Sequence, residues 1–147
     1  MTVIAWDGKT LAADKQSTSN GMRRTTTKIF RVRDGLIALT GDGGHGSALR
    51  EWFMGDRDLA NWPKPTSDDC GHIIHFSRGG VLVYNGAGVG TGEPVEDPFI
   101  AFGAGRDYAM AAMHLGCDAH RAVEVACVFD TGCGMGIDTL ELDQQEK

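Results

Sequence analysis

Short runs of alternating apolar and polar residues dominate the first 40 positions, and they predict strands rather than helices. Thr2 to Trp6 is apolar and β-prone, Asp7-Gly8 is a hairpin signal, and Thr10 to Ala13 continues as a partner strand ending at Asp14. Residues 15–26 are polar and read as a loop. Lys28 to Val32 and Leu36 to Thr40, joined across Asp34-Gly35, form a second hairpin. Gly41-Asp42-Gly43-Gly44 breaks the sheet, and the spacing of Leu49, Trp52 and Phe53 predicts a helix over 47–54, stopped by Gly55. Residues 56–71, with Pro63 and Pro65, read as a connection. His72 to Phe76 and Val81 to Tyr84 form a third hairpin, residues 85–98 a loop, and Phe99 to Phe102 a short buried strand. A helix follows over 106–115, with Gly116 as its stop. Asp118 caps another helix whose apolar stripe is Ala122, Val125, Ala126 and Phe129. Ile137 to Leu142 alternates as a last strand, and residues 144–147 read as a frayed tail. This order implies an α+β chain with helices covering antiparallel sheets, not a βαβ repeat.

Composition narrows the function classes. The chain has 147 residues, 20 acidic against 14 basic, a net charge of −6 and 41% apolar residues. That fits one globular domain with a real core. No apolar run is long enough for a membrane helix, and the first seven residues lack the pattern of a signal peptide. A net negative chain supplies no field for phosphates, so no nucleic-acid partner is expected. Four cysteines without a Cys-x-x-Cys read as reduced thiols in a cytoplasmic protein. The 21 glycines cluster near 41–46, 86–92, 103–105 and 132–136. Neither Gly86-Ala87-Gly88 nor Gly103-Ala104-Gly105 completes a dinucleotide fingerprint or a P-loop, so no cofactor is expected. Cys70, His72 and His75 could start a metal site, but the two histidines have opposite parity on a strand, and core or surface histidines are the simpler reading.

Chemistry concentrates at the start of the chain. Removing Met1 would give Thr2 a free α-amine beside its hydroxyl, and such an amine titrates at about 7.7–8.0. An N-terminal amine is one way to activate a weak hydroxyl nucleophile. Lys28 shares a strand face with Phe30 and Val32, while Arg31 and Arg33 lie on the other face with Ile29. An inward lysine needs a carboxylate, and Asp14 is the natural partner. The Gly41-Asp42-Gly43-Gly44 turn lies between a strand and a helix, where backbone N–H groups can receive an oxyanion.

Thr2-Val3-Ile4-Ala5, Leu11-Ala12-Ala13-Asp14, Thr27-Lys28-Ile29-Phe30 and Ile37-Ala38-Leu39-Thr40-Gly41-Asp42 together resemble a proteasome β-type subunit. The likeness extends to the bacterial HslV protease and to short bacterial or phage proteasome-like proteins. Phe102-Gly103-Ala104-Gly105 before a helix and Asp130-Thr131-Gly132-Cys133-Gly134 before the last strand continue it over most of the chain. These families are N-terminal-nucleophile hydrolases. The resemblance implies a four-layer αββα sandwich and a threonine endopeptidase that works through an acyl ester. It assigns Thr2 as nucleophile and base, Lys28 as the cation that eases hydroxyl ionisation, and Asp14 as the residue orienting that lysine. Gly41 would supply the oxyanion N–H and Asp130 would support the amine. Leu39 and Gly43 fall where substrate binds. The resemblance also implies a self-assembled ring or barrel, peptide or unfolded-protein substrates, and an AAA+ unfoldase as a partner.

Two positions depart from the family pattern. Ala104 and Cys133 stand where serines usually contact the amine. An inactive assembly subunit, or an amidase on the same fold, is therefore the alternative. The prolines in 56–71 also predict a reduced helix layer on that side.

Overall fold

The computed structural model describes residues 1–65 and 68–142. The chain opens with β1 (Ile4–Trp6), β2 (Thr10–Asp14), β3 (Gln16–Ser19), β4 (Met22–Thr25), β5 (Ile29–Val32) and β6 (Gly35–Gly41). Helix α1 (Gly43–Met54) precedes β7 (Gly71–Ser77), β8 (Gly80–Asn85), β9 (Glu93–Val95) and β10 (Ile100–Phe102). Helices α2 (Arg106–His114) and α3 (Ala119–Phe129) lead to β11 (Ile137–Glu141). The α+β reading with antiparallel sheets holds.

Two compact units divide these elements. The first holds residues 1–30 and those from 97 onward; the second holds 31–96, with β5 crossing the boundary. In the first, four strands pair in the order β10-β1-β2-β11, all antiparallel, with Ile4 opposite Ala13 and Ile137 opposite Asp14. Helices α2 and α3 pack on each other and α3 lies on β1 and β2. Their shared core is built from small side chains, including Val3, Ala5, Ala12, Ala109, Ala122 and Ala126. Small residues on both sides bring helix and strand backbones close, which fixes the strand ends that carry Thr2 and Asp14.

In the second unit, α1 covers β6 and β7 of a sheet ordered β5-β6-β7-β8-β9. Phe53, Trp52, Trp62 and Tyr84 meet edge-on or tilted there. The Arg57 guanidinium lies over Phe53 and forks onto both oxygens of Asp34, at 2.7 and 2.8 Å.

Several expectations need correction. Residues 16–25 are not a loop but the β3–β4 hairpin, turned by Asn20 and Gly21 at φ 52° and 77°. Such left-handed pairs are what a tight hairpin demands. Helix α1 begins at Gly43, because Asp42 caps it by accepting the His45 N–H at 2.8 Å. Between 85 and 98, Glu93–Val95 adds an edge strand to β8. The buried face of α3 is Ala119, Ala122, Val123 and Ala126; Phe129 is exposed and stacks on Tyr108. The connection expected over 56–71 needs no such change: its described residues hold a short 3-10 turn, Leu59–Asn61, before β7 starts at Gly71. The tail at 144–147 lies outside the described residues.

Candidate active site

Asp14 ends β2 with no exposed surface, and a carboxylate there must be met by donors. It has four. Its Oδ1 accepts the Val3 N–H at 3.1 Å and the Lys28 ammonium at 2.7 Å. Its Oδ2 accepts the N–H groups of Gln16 at 3.2 Å and Gly134 at 3.0 Å. One side chain thus joins the N-terminal strand, the β2–β3 link, the strand entry at Lys28 and the loop after α3.

Lys28, 6% exposed, uses the same economy. Besides Asp14, its Nζ donates to Thr2 Oγ1 at 3.2 Å and to the Met1 carbonyl at 3.3 Å. An ammonium has three N–H bonds, and all three are placed. Lys28 faces inward as its strand parity predicts. Ile29, assigned to the opposite face, is buried as well.

Thr2 is held from the other side by the Gly103-Ala104-Gly105 turn. Gly105 N–H donates to the Thr2 carbonyl at 3.1 Å. Gly103 has φ 95°, and a Cβ on it would fall inside that same carbonyl, so glycine is required twice over. A Cβ on Gly105 would press on Val3, Ala126 and Cys133 at 3.0–3.2 Å. In the sequence this pair is an incomplete nucleotide motif and a segment of the proteasome-type likeness; its use here is close approach to the Thr2 backbone.

The remaining candidates fall as follows. Asp130 Oδ1 accepts the Gly132 N–H at 2.8 Å and its carbonyl accepts Cys133 N–H at 3.1 Å, closing the turn beside Met1. Ala104 is exposed and offers only a methyl group. Cys133 is buried; burial, then the negative charges of Asp14 and Asp130, push its thiol up to about 12. Cys127 is raised to about 11 by burial and then by Asp14. Neither is a thiolate near neutral pH. Leu39, Gly41 and Gly43 belong to the second unit. Leu39 is half-buried on β6, Gly41 ends that strand at φ 86°, and Gly43 opens α1.

Gln16 escapes a sequence reading because β3 looked like loop. It is 2% exposed, and its Nε2 donates to Thr131 O and Thr18 Oγ1, both at 3.2 Å. It thereby braces the 130–134 loop from which Asp14 draws its last donor. The histidines are occupied otherwise. His45 Nδ1 accepts Gly71 N–H at 2.9 Å and His72 Nδ1 accepts Gly86 N–H at 3.2 Å. Among the described residues no group of three His, Cys, Asp or Glu side chains could hold a metal ion. No helix there is long and apolar enough to cross a membrane.

No protein-family model and no curated protein sequence matches the chain. Solved structures do. One from Thiobacillus denitrificans, described as BPH in complex with epoxomicin, has a TM-score of 0.70 at 21% identity, over 97% of this chain and 100% of that one. Eukaryotic HslV from Trypanosoma brucei has a TM-score of 0.70 at 20% identity, over 97% of this chain and 99% of that one. A second BPH structure from Thiobacillus denitrificans gives 0.69 at 21% identity. The chain has the HslV fold. On that HslV-like frame, Thr2, Asp14 and Lys28 meet in one buried cluster, where the arrangement can bind a hydroxyl oxygen to a cation that is itself fixed by a carboxylate.

Proposed function

We propose that this protein is a threonine endopeptidase of the N-terminal-nucleophile type, with Thr2 as nucleophile once Met1 is removed. The observation that carries this reading is the Lys28 ammonium, buried, 2.7 Å from Asp14 and 3.2 Å from Thr2 Oγ1. A fixed cation beside a hydroxyl stabilises the developing alkoxide. The freed Thr2 amine takes the hydroxyl proton, the oxygen attacks a peptide carbonyl, and the amine returns the proton to the leaving nitrogen. Water then releases the acyl group from the ester. From the family resemblance, Gly41 is the proposed oxyanion donor, Leu39 and Gly43 the proposed substrate-binding residues, and Asp130 the proposed support of the amine. With this reading go the αββα layering, a homo-oligomeric ring in the cytoplasm, peptide or unfolded-protein substrates and an AAA+ unfoldase.

A second reading has its own observation: the methyl of Ala104 and the protonated thiol of Cys133 stand at the two positions where serines would hold the amine. On that reading the chain is an inactive assembly subunit.

Intact-mass measurement separates the two. An active protein lacks the mass of Met1 and gains one equivalent of a peptide epoxyketone, the inhibitor class of epoxomicin, and Thr2→Val abolishes the gain. Retained Met1 with no adduct overturns the enzyme reading.

A further inference from the structure

Met1 does not hang free of the site. A Cβ built on Gly132 would lie within 2.8 Å of Met1 Cβ, Cγ and Sδ, and these are its three nearest neighbours. Gly132 does not take a left-handed φ, so its backbone asks for no glycine. What the missing side chain leaves is room for the residue before Thr2. Met1 is nevertheless 71% exposed, so it rests on an open shelf rather than in a pocket.

The side on which this shelf lies is fixed by Lys28. Its Nζ touches both Thr2 Oγ1 and the Met1 carbonyl, so Met1 occupies the reacting side of Thr2. If the Thr2 amine hands its proton to the leaving nitrogen, that nitrogen must come within roughly 3 Å of it. The Met1 Cα is about 2.4 Å from the same amine nitrogen across the peptide bond. After Met1 leaves, the leaving residue of a substrate therefore enters the volume Met1 has vacated.

Resting on the proposed hydrolase reading, we infer that the shelf over Gly132 is the subsite for the first residue on the leaving side of the scissile bond, and that it favours a long unbranched apolar side chain. The glycine is the specificity-determining residue: any side chain there would fill the shelf.

Acyl transfer measures this directly. A fluorogenic peptide amide loads Thr2 with an acyl group, and methioninamide and alaninamide compete as acceptors. The ester C–O bond breaks, a C–N bond forms to the acceptor nitrogen, and the acceptor's proton returns through the Thr2 amine to Oγ1. The expected product ratio favours methioninamide by about three- to ten-fold, the modest scale of a half-exposed apolar contact. Gly132→Ala brings the ratio towards one. Both products form in one reaction, so the ratio does not depend on how much enzyme is active. Equal yields from the unaltered protein, or an unchanged ratio in Gly132→Ala, overturn the subsite. A peptide epoxyketone adduct on Thr2 alongside equal yields leaves the hydrolase reading standing and removes only the shelf. Absence of both adduct and acyl transfer removes the hydrolase reading and the subsite with it.

Discussion

A buried ammonium and a buried carboxylate can differ greatly in what they hold up, and Lys28 and Asp14 show the asymmetry. Taking away the lysine leaves Asp14 with three backbone donors, from Val3, Gln16 and Gly134. Taking away the carboxylate strands those three N–H groups and the ammonium together. Lys28→Met should therefore cost about 2–3 kcal/mol and Asp14→Ala more, about 4–5 kcal/mol. Urea denaturation of both variants tests the order, and a more stable Asp14→Ala would contradict it. At the same scale, the raised thiols of Cys133 and Cys127 should resist iodoacetamide at pH 7.5 in the folded protein and react only after unfolding, as read by mass. The inward lysine was legible from strand parity. The burial of Ile29 was not, because it shares its face with Arg31 and Arg33, both exposed, and parity gives no sign that the start of that face is covered.

Among the elements, the 103–105 turn is where local conformation and site geometry coincide. Gly103→Ala combines a left-handed φ with a collision on the Thr2 carbonyl, whereas Gly116→Ala has φ 101° but open space around it. The first should cost at least about 3 kcal/mol and the second about 1 kcal/mol. Comparable losses in thermal and urea unfolding would show that the close approach to Thr2 carries no energy. The β3–β4 hairpin was hidden for a different reason. Apart from the exposed Met22 its residues are polar on both faces, and β4 is exposed throughout, so hydrophobic alternation has nothing to report; only Asn20-Gly21 marks the turn. The α1 start was hidden because glycines at 43, 44 and 46 argue against helix, and Asp42 capping outweighs them.

For the whole chain, element order alone was enough to read an α+β fold, and several segments in the right order pointed to HslV-like proteins. Which residues meet was a harder matter. Asp14 and Gly134 are 120 positions apart, and no local pattern connects them. The second unit carries a pH dependence of its own. Burial lowers His72 and His75 below their ordinary 6.5, so both favour the fold while neutral and lose that contribution as pH falls through this range. Asp34, held down to about 2 from 3.8 chiefly by its hydrogen bonds from Arg57, contributes stability that is present above 3.8 and lost as pH drops towards 2. Thermal midpoints should thus fall from about pH 7 to 5 and again from about pH 4 to 2.5, with Asp34→Asn flattening the lower stage. A midpoint unchanged between about pH 7 and 5 would contradict the histidine part.

The reach of Asp14 has a consequence for biosynthesis. Its last donor, Gly134, leaves the ribosome long after Thr2 and Lys28 have been made. A nascent chain can build its first hairpin early, yet the carboxylate that meets the ammonium cannot be fully engaged until residue 134 has been translated. The order of synthesis therefore leaves the buried Asp14–Lys28 pair one donor short until the loop after α3 has emerged.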